Sequence, residues 1–350
     1  MNPIKVAIVG CGHIAGAYVR SIQQSPYSQI VAVCDNRIEH AADFATKNGI
    51  RGIYGDFAQM LRDEAIDLLV NITPPYLHGE LNRQALKAGV NVWSEKPIAT
   101  EMSVAQELLA LAKEHGLGIW SAPITPLSPS FQYMAERIAD GSLGIVNAAH
   151  GISGHSVPLW DAWFYREGGG TLFDIGVYTI TTLTGLLGPA KSVTAMAGIV
   201  ISERLVKGEK VMAEVEDNAA LVLDHGNACY SVIQCGFTYR AQQDDWTIQV
   251  IGTEGSMAME GYDWEPKGVR VFTSKESAWT RQATDQGDYE MVGGAVYIID
   301  CLANGKEPIL HADHPVHVLE IMLAAKESAR TGARIAIHSS FSWPLISTTE

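Results

Sequence analysis

The sequence predicts an α/β protein in two parts: an N-terminal Rossmann-type, doubly wound parallel sheet, then a domain built on an open, mainly antiparallel sheet. Three observations carry this reading. Short apolar, β-branched runs alternate with helical periodicity from Ile4 to about Ala122. The first run enters its helix through Gly10-Cys11-Gly12-His13-Ile14-Ala15. Beyond a cluster of prolines at 123, 126 and 129, strand-like runs succeed one another without helices between them. The domains are therefore read as 1–123 and 124–350.

In the first part, Ile4–Gly10 reads as a buried parallel strand, followed by a helix to about Gln24. Gln29–Cys34 is the next strand and ends at Asp35; Arg37–Asn48 is helical, with Gly49 as its C-terminal cap. Asp67–Ile72 and Val90–Ser94 are strands around a helix at Leu77–Ala88. Ser103 with Gln106 reads as a capping box opening a helix to His115, and Gly118–Ala122 is the last strand. In the second part, a helix is expected at about Ser130–Asp140 and a strand at Ile145–His150. An irregular aromatic stretch leads to three glycines at 168–170 and a helix over Thr171–Leu187. Strands follow at about Ser192–Ile201, Asn218–Asp224, Ala228–Phe237, Trp246–Ile251, Ser256–Glu260 and Val269–Thr273. Helices at about Tyr289–Ala303 and His314–Thr331 finish the chain.

Composition narrows the function. The 350 residues hold 39 acidic and 25 basic side chains, a net charge of −14, which argues against a nucleic-acid partner bound through a broadly basic face. A hydrophobic share of 47% with 18% charged residues is enough for a packed core and too apolar for a disordered chain. No apolar run reaches the length of a membrane span, and the N-terminus is expected to carry no secretory signal. The five cysteines lack CxxC spacing, so they read as reduced thiols of a cytoplasmic protein. The His311-Ala-Asp313-His314-x-x-His317 run lacks a metal-site order and reads as a helix start, so no metal is expected. Asn71-Ile72-Thr73 matches a glycosylation sequon at the end of a buried strand and is read as chance.

Four motifs carry chemistry. Gly10-x-Gly12-x-x-Ala15 follows a strand and opens a helix, and Asp35 ends the next strand, which is the setting of a dinucleotide fingerprint. Gly10 allows the tight turn and Gly12 lets a pyrophosphate approach the backbone. Ala15 permits close helix packing, and the helix N-terminus offers N–H groups and its dipole. Asp35 should accept from ribose hydroxyls and repel a 2′-phosphate. Arg37 is either a partner for such a phosphate or a solvated residue of the first helical turn. Glu95-Lys96-Pro97 follows a strand, where ligands of doubly wound sheets bind; Lys96 either faces that site or pairs with Glu95. In Gly168-Gly-Gly-Thr-Leu-Phe-Asp174-Ile-Gly-Val-Tyr178, the acid and phenol are four residues apart and share one helix face. That suits a polyol, but also a dipole-complementing Asp beside a core Tyr. In the stretch His155–Arg166, aromatic faces suit a sugar ring, and Asp161 or Arg166 its hydroxyls; the alternative is a loop sealing the sheet edge.

Together these pieces resemble the Gfo/Idh/MocA family, the group of glucose–fructose oxidoreductase and inositol dehydrogenase. The matching segments are IVGCGHIA with Asp35, TPPYLH at 73–78, SEKP at 94–97, GGGTLFDIGVY at 168–178 and HPVHVLEIMLAAKESARTG at 314–332. The resemblance implies an NAD(P)-dependent oxidoreductase that transfers hydride between nicotinamide and a secondary alcohol or hemiacetal carbon of a sugar or cyclic polyol. It also implies a homodimer or homotetramer formed through the C-terminal sheet. Cofactor contacts are expected from Gly10, Gly12, His13, Ile14, Asp35, Asn36, Arg37, Thr73, Pro74, His78, Glu95 and Lys96, with NAD preferred and NADP the alternative. Tyr178 stands where many members carry histidine and resembles the glucose–fructose oxidoreductase and dihydrodiol dehydrogenase branches. A free phenol titrates near ~10, so a base at this position needs a neighbouring cation. Tyr178 is thus expected as acid/base, Lys96 as its electrostatic helper (or itself the base) and Asp174 as hydroxyl acceptor. Trp160, Trp163, Tyr165 and Arg166 are expected to join these three around the substrate. The rival readings are a glycosidase using NAD for transient oxidation and a non-catalytic nucleotide or sugar sensor.

Overall fold

The strand β1 (Ile4–Val9) runs through the middle of the first sheet, with Val6, Ala7 and Ile8 wholly buried. The computed structural model describes residues 2–156, 158–159, 161–240, 246–275 and 277–346. Two units pack separately: Met1–Ile124 with Glu290–Val316, and Thr125–Tyr289 with His317–Glu350.

In the first unit, β1 is joined by β2 (Ser28–Cys34), β3 (Gly52–Tyr54), β4 (Leu68–Asn71), β5 (Asn91–Ser94) and β6 (Ile119–Ser121). All pairs are parallel and the order is β3-β2-β1-β4-β5-β6. The order reverses between β1 and β4, the switch point at which doubly wound folds bind ligands. The crossovers are α1 (Ala15–Gln24), α2 (Ile38–Asn48), α3 (Phe57–Asp63), α4 (Pro75–Lys87) and α5 (Met102–His115). Neither β3 nor α3 is visible in the periodicity: a three-residue strand is too short to alternate. The capping box expected at Ser103 does not form. α5 starts at Met102 with Glu101 in the cap position and no side-chain cap, which leaves Ser103 inside the first turn.

The second unit contains α6 (Pro129–Ala139), β7 (Val146–Gly154) and α7 (Val177–Leu187). Where a continuous helix over 171–187 was expected, Leu172–Gly176 is a π turn and α7 continues from it. β8 (Ser192–Gly198) is followed by β9 (Glu203–Val206) and β10 (Glu209–Met212), which pair apart as a hairpin. Then come β11 (Asn218–Gly226), β12 (Cys229–Gly236), β13 (Ile248–Gly252), β14 (Gly255–Tyr262), β15 (Glu265–Thr273) and β16 (Trp279–Gln282). With β17 (Ile335–Ala336) they form a nine-stranded sheet, order β16-β15-β14-β13-β7-β12-β11-β8-β17. Every pair is antiparallel except β7 with β12. On β8, β11 and β12 the odd-numbered residues face inward and are mostly buried, while Met196, Val222, Tyr230 and Val232 stand 43–81% exposed on the other face.

α8 (Gly294–Asn304) returns to the first unit, although its place in the chain had grouped it with the second. Its Gly294 leaves room for the Trp93 ring, and Asp300 Oδ1 accepts from Ser25 Oγ at 2.8 Å. α9 (Asp313–Thr331) straddles the division. On it His317 is a neutral core residue: Nε2 accepts from the Ala190 N–H at 3.0 Å, and burial pushes its pKa down to about 4.

Candidate active site

The turn after β1 is held by sterics. Gly10 has φ +98°, and a Cβ there would stand 2.8 Å from the Ile72 carbonyl oxygen at the end of β4. Its N–H donates to the Cys34 carbonyl at 2.8 Å, so β1, β2 and β4 meet at this residue. Around Gly12 a Cβ would meet nothing within 4 Å, and no side chain caps α1. The helix therefore starts beside an open backbone with no side chain over its N-terminus, its Ala15 and Ala17 N–H groups turned back to the carbonyls of Gly12 and Ile14. At the end of β2, the buried Asp35 accepts from the Cys11 N–H through Oδ2 and the Arg37 N–H through Oδ1, both at 3.0 Å. A carboxylate has about four acceptor positions, so two remain for hydroxyl donors. Arg37 Nε lies 3.7 Å from Asp35 on a side chain that is 62% exposed. His13 and Asn36 are exposed and Ile14 is half-buried along the same turn. Burial, helped by the Asp35 carboxylate, pushes the Cys11 thiol up to about 12, which disfavours the thiolate.

Two further loops leave β4 and β5, fixed by a buried polar network. Asn71 Oδ1 accepts from Thr73 Oγ1 at 2.7 Å, and Asn71 Nδ2 donates to Asn82 Oδ1 at 2.8 Å. Asn82 donates on to Ser94 Oγ and the Ile98 carbonyl. His78 is wholly buried, its ring nitrogens 2.7 Å from the Thr73 carbonyl and 2.6 Å from that of Pro97. Burial pushes its pKa down, against the pull of the two carbonyls. His78 thus ties the Thr73-Pro74 loop to Lys96-Pro97 from beneath. Glu95 accepts from the Tyr18 hydroxyl at 2.6 Å and from the Lys96 N–H at 3.0 Å, which sets the backbone that carries the half-buried Lys96.

In the second unit the site centres on the π turn. Gly170, at φ +93°, faces the Glu216 carboxylate where a Cβ would stand. Glu216 then accepts at the helix start: its carbonyl from Thr171 N–H at 3.0 Å, its Oε1 from Leu172 N–H at 3.3 Å. π turns of this kind recur at functional positions. This one carries Asp174 (9% exposed), and Tyr178 (8%) follows in the first turn of α7. His155, just past β7, brings Nε2 to 3.5 Å from Asp174 Oδ2 and stacks on Phe237. The Trp264 indole meets the Tyr178 ring edge-on at 5.3 Å and lies flat on Tyr262 at 4.5 Å.

Sequence reasoning placed Asp174 and Tyr178 together, and the structure sets them on one continuous helical segment. Tyr165 is 1% exposed; its hydroxyl donates to the Pro158 carbonyl at 2.7 Å and its ring lies under Arg204. Trp163 is half-buried and stacked on Phe164, while Arg166 is exposed. Trp160 lies outside the described residues. Sequence reasoning gave no role to Asn71, Asn82, His155, Glu216, Asp263 or Trp264. Each reaches a partner 11 to 86 residues away in the chain, and no spacing rule encodes that.

Comparison with known proteins matches both units. Residues 4–122 fit the family model of oxidoreductases with an NAD-binding Rossmann fold, and residues 131–258 fit the GFO/IDH/MocA C-terminal domain. The chain belongs to the Gfo/Idh/MocA oxidoreductase family. D-apiose dehydrogenase of Paraburkholderia graminis is 24% identical over 346 residues, 96% of this chain and 90% of that protein. Trans-1,2-dihydrobenzene-1,2-diol dehydrogenase of Oryctolagus cuniculus is 24% identical over 306 residues, 85% and 89%. Among solved structures, levoglucosan dehydrogenase in complex with NADH and L-sorbose superposes with a TM-score of 0.88 at 19% identity, covering 97% of this chain and 100% of that one.

The residues present fit the dinucleotide of this NAD-binding family. Gly12 leaves the approach open, no side chain covers the start of α1, and Asp35 holds acceptor positions at the next strand end. The two glycines are expected to respond differently to alanine. Gly10→Ala forces a strained φ and a clash with backbone, and should destabilise the protein by about 2 kcal/mol or more. Gly12→Ala should leave the urea midpoint almost unchanged while weakening NAD binding about tenfold or more, read by calorimetry. Equal stability losses in both would remove the distinction.

Proposed function

We propose that the protein is an NAD-dependent dehydrogenase that oxidises a secondary alcohol or hemiacetal carbon of a sugar, cyclic polyol or cyclic diol. The observation that carries this reading is the presence, in a member of this family, of a lysine after β5 and an Asp–Tyr pair at the head of α7. Bound NAD supplies the hydride acceptor. Tyr178 takes the carbinol proton, and the Lys96 ammonium stabilises the phenolate and the substrate oxygen. Asp174 accepts from a neighbouring hydroxyl, with His155 against its Oδ2. Relatives named for D-apiose and dihydrobenzenediol oxidation, and a neighbour in complex with L-sorbose, support a ring or sugar alcohol as the substrate class. Lys96→Met and Tyr178→Phe are expected to lower kcat at least about a thousandfold on any active compound of a sugar and cyclitol panel, with NAD affinity within about threefold. Unchanged rates in both variants would overturn these roles.

NAD is preferred over NADP because Asp35 places a buried carboxylate at the ribose end of β2, while Arg37 is drawn toward that same carboxylate. Asp35→Ala should weaken NAD binding by about ten- to a hundredfold and NADP binding much less. Equal losses for both would contradict the ribose contact.

A reducing, cytoplasmic location belongs to the same reading and is supported by five unpaired cysteines, four of them buried. No described helix is long and apolar enough to cross a membrane. A homo-oligomer is proposed through the outer face of the large sheet, where Met196, Val222, Tyr230 and Val232 form an exposed apolar patch across three adjacent strands. Val232→Glu combined with Met196→Glu should reduce the mass measured by light scattering to that of one chain. A wild-type protein already at that mass would reject the oligomer.

A further inference from the structure

We propose that Trp264 is a specificity-determining residue, its indole being the wall on which the C–H face of a cyclic substrate lies beside Tyr178. The inference rests on the dehydrogenase reading above and deepens it by naming what selects a ring. It starts from a short connection. β14 ends at Tyr262 and β15 begins at Glu265, which pair with each other, so the tip of the hairpin is Asp263-Trp264 alone. Tight hairpin tips favour small polar residues and glycine, and turn chemistry gives no reason for an indole there.

The tip is anchored to the helix that carries the reacting phenol. Asp263 is wholly buried, and Thr182 Oγ1 lies 3.5 Å from its Oδ2. Thr182 sits one turn beyond Tyr178 on α7, and its hydroxyl donates to the Tyr178 carbonyl at 3.0 Å. Burial pushes the Asp263 carboxyl up to about 7, against the pull of the Thr179 and Thr182 hydroxyls on α7. Asp263 is therefore a positioning residue: it fixes the hairpin tip against α7, and the tip fixes Trp264 against Tyr178.

The indole is held from two sides and still keeps exposed surface. Tyr262 lies parallel to it, 5° between planes, and Tyr178 meets it at 60°. Both Trp264 and Tyr262 are half-buried, whereas the residues of α7 from Val177 to Leu186 are all buried. A large, immobilised aromatic surface facing partly outward beside a phenol is costly as packing and useful as a ring platform. The electron-rich face attracts the polarised C–H bonds on the apolar side of a pyranose, anhydrosugar or cyclitol, while an acyclic polyol has no such flat side.

The test compares wild type, Trp264→Ala and Trp264→Phe, each loaded with NADH, by calorimetry with levoglucosan, myo-inositol and glycerol. Turnover with NAD is measured in parallel. Trp264→Ala should weaken the ring compounds about five- to tenfold and glycerol less than about twofold. Trp264→Phe should regain most of the loss, and NADH affinity, unchanged in both, reports an intact fold. In turnover the effect should fall on KM rather than kcat. Ring compounds that bind wild type and Trp264→Ala equally, or that fail to bind wild type, overturn the proposal. Ring binding that depends on Trp264 without any NAD reduction overturns the dehydrogenase reading and leaves the platform standing.

Discussion

The first unit depends on one constraint: the backbone must turn sharply at the carboxyl ends of β4 and β5 inside a region that excludes water. Parallel strands end with polar groups that a buried position penalises by about 1–3 kcal/mol each when unpaired. The chain meets this with Asn71, Asn82, Ser94 and His78, all wholly buried: the first three bond to one another and Asn82 to the Ile98 carbonyl, while the His78 ring lies between the carbonyls of Thr73 and Pro97 and can donate to one of them. Because every link runs to Asn82 or His78 on α4, that helix couples the loops bearing Thr73 and Lys96. Gly10 adds the steric half of the same device, pressing the fingerprint turn against the Ile72 carbonyl. Rigidity here serves the site, since a dinucleotide is gripped mainly by backbone groups whose positions must be set before it arrives.

The second unit solves the matching problem with a carboxylate. A helix that begins in the core leaves N–H groups without partners. Glu216, reaching over from the strand region, accepts at Thr171 and Leu172, and Lys326 Nζ lies 3.8 Å from its other oxygen. Burial still pushes the Glu216 carboxyl up, because one ammonium at that distance does not repay full desolvation. The wider π turn then spaces Asp174 and Tyr178 along a segment that is buried on all sides. Site geometry in this unit is thus a product of helix capping.

The sequence revealed what local rules govern. The fingerprint glycines, Asp35, the alternating strands of both sheets and the Asp–Tyr spacing all follow from periods of two or four residues or from one turn type. The short β3 and α3 carry too few residues for a period to emerge. α8 looked like any late helix, since it is contacts from far away in the chain, the space that Gly294 leaves for Trp93 and the Ser25–Asp300 bond among them, that assign it to the first unit. His155, Glu216 and Trp264 are ordinary residues in the sequence and acquire meaning only through partners brought from distant strands. Tyr165 shows the converse: an aromatic residue in a suggestive stretch that is spent on packing under Arg204.

The phenol at position 178 places a particular demand on its surroundings. An imidazole accepts a proton near neutral pH unaided, whereas a phenol does so only where positive charge favours the phenolate. Two cations of the second unit are already committed to carboxylates. Arg204 is paired with Asp217, which also receives the Val200 and Ile201 N–H groups, and Lys326 faces Glu216. Each of these charges is matched by a carboxylate at close range and exerts little net field on a third group. Under the proposed mechanism the Lys96 ammonium supplies the positive charge that favours the phenolate. A proton acceptor whose strength depends on a charge held by a separate structural element is only as reliable as the network that positions that charge.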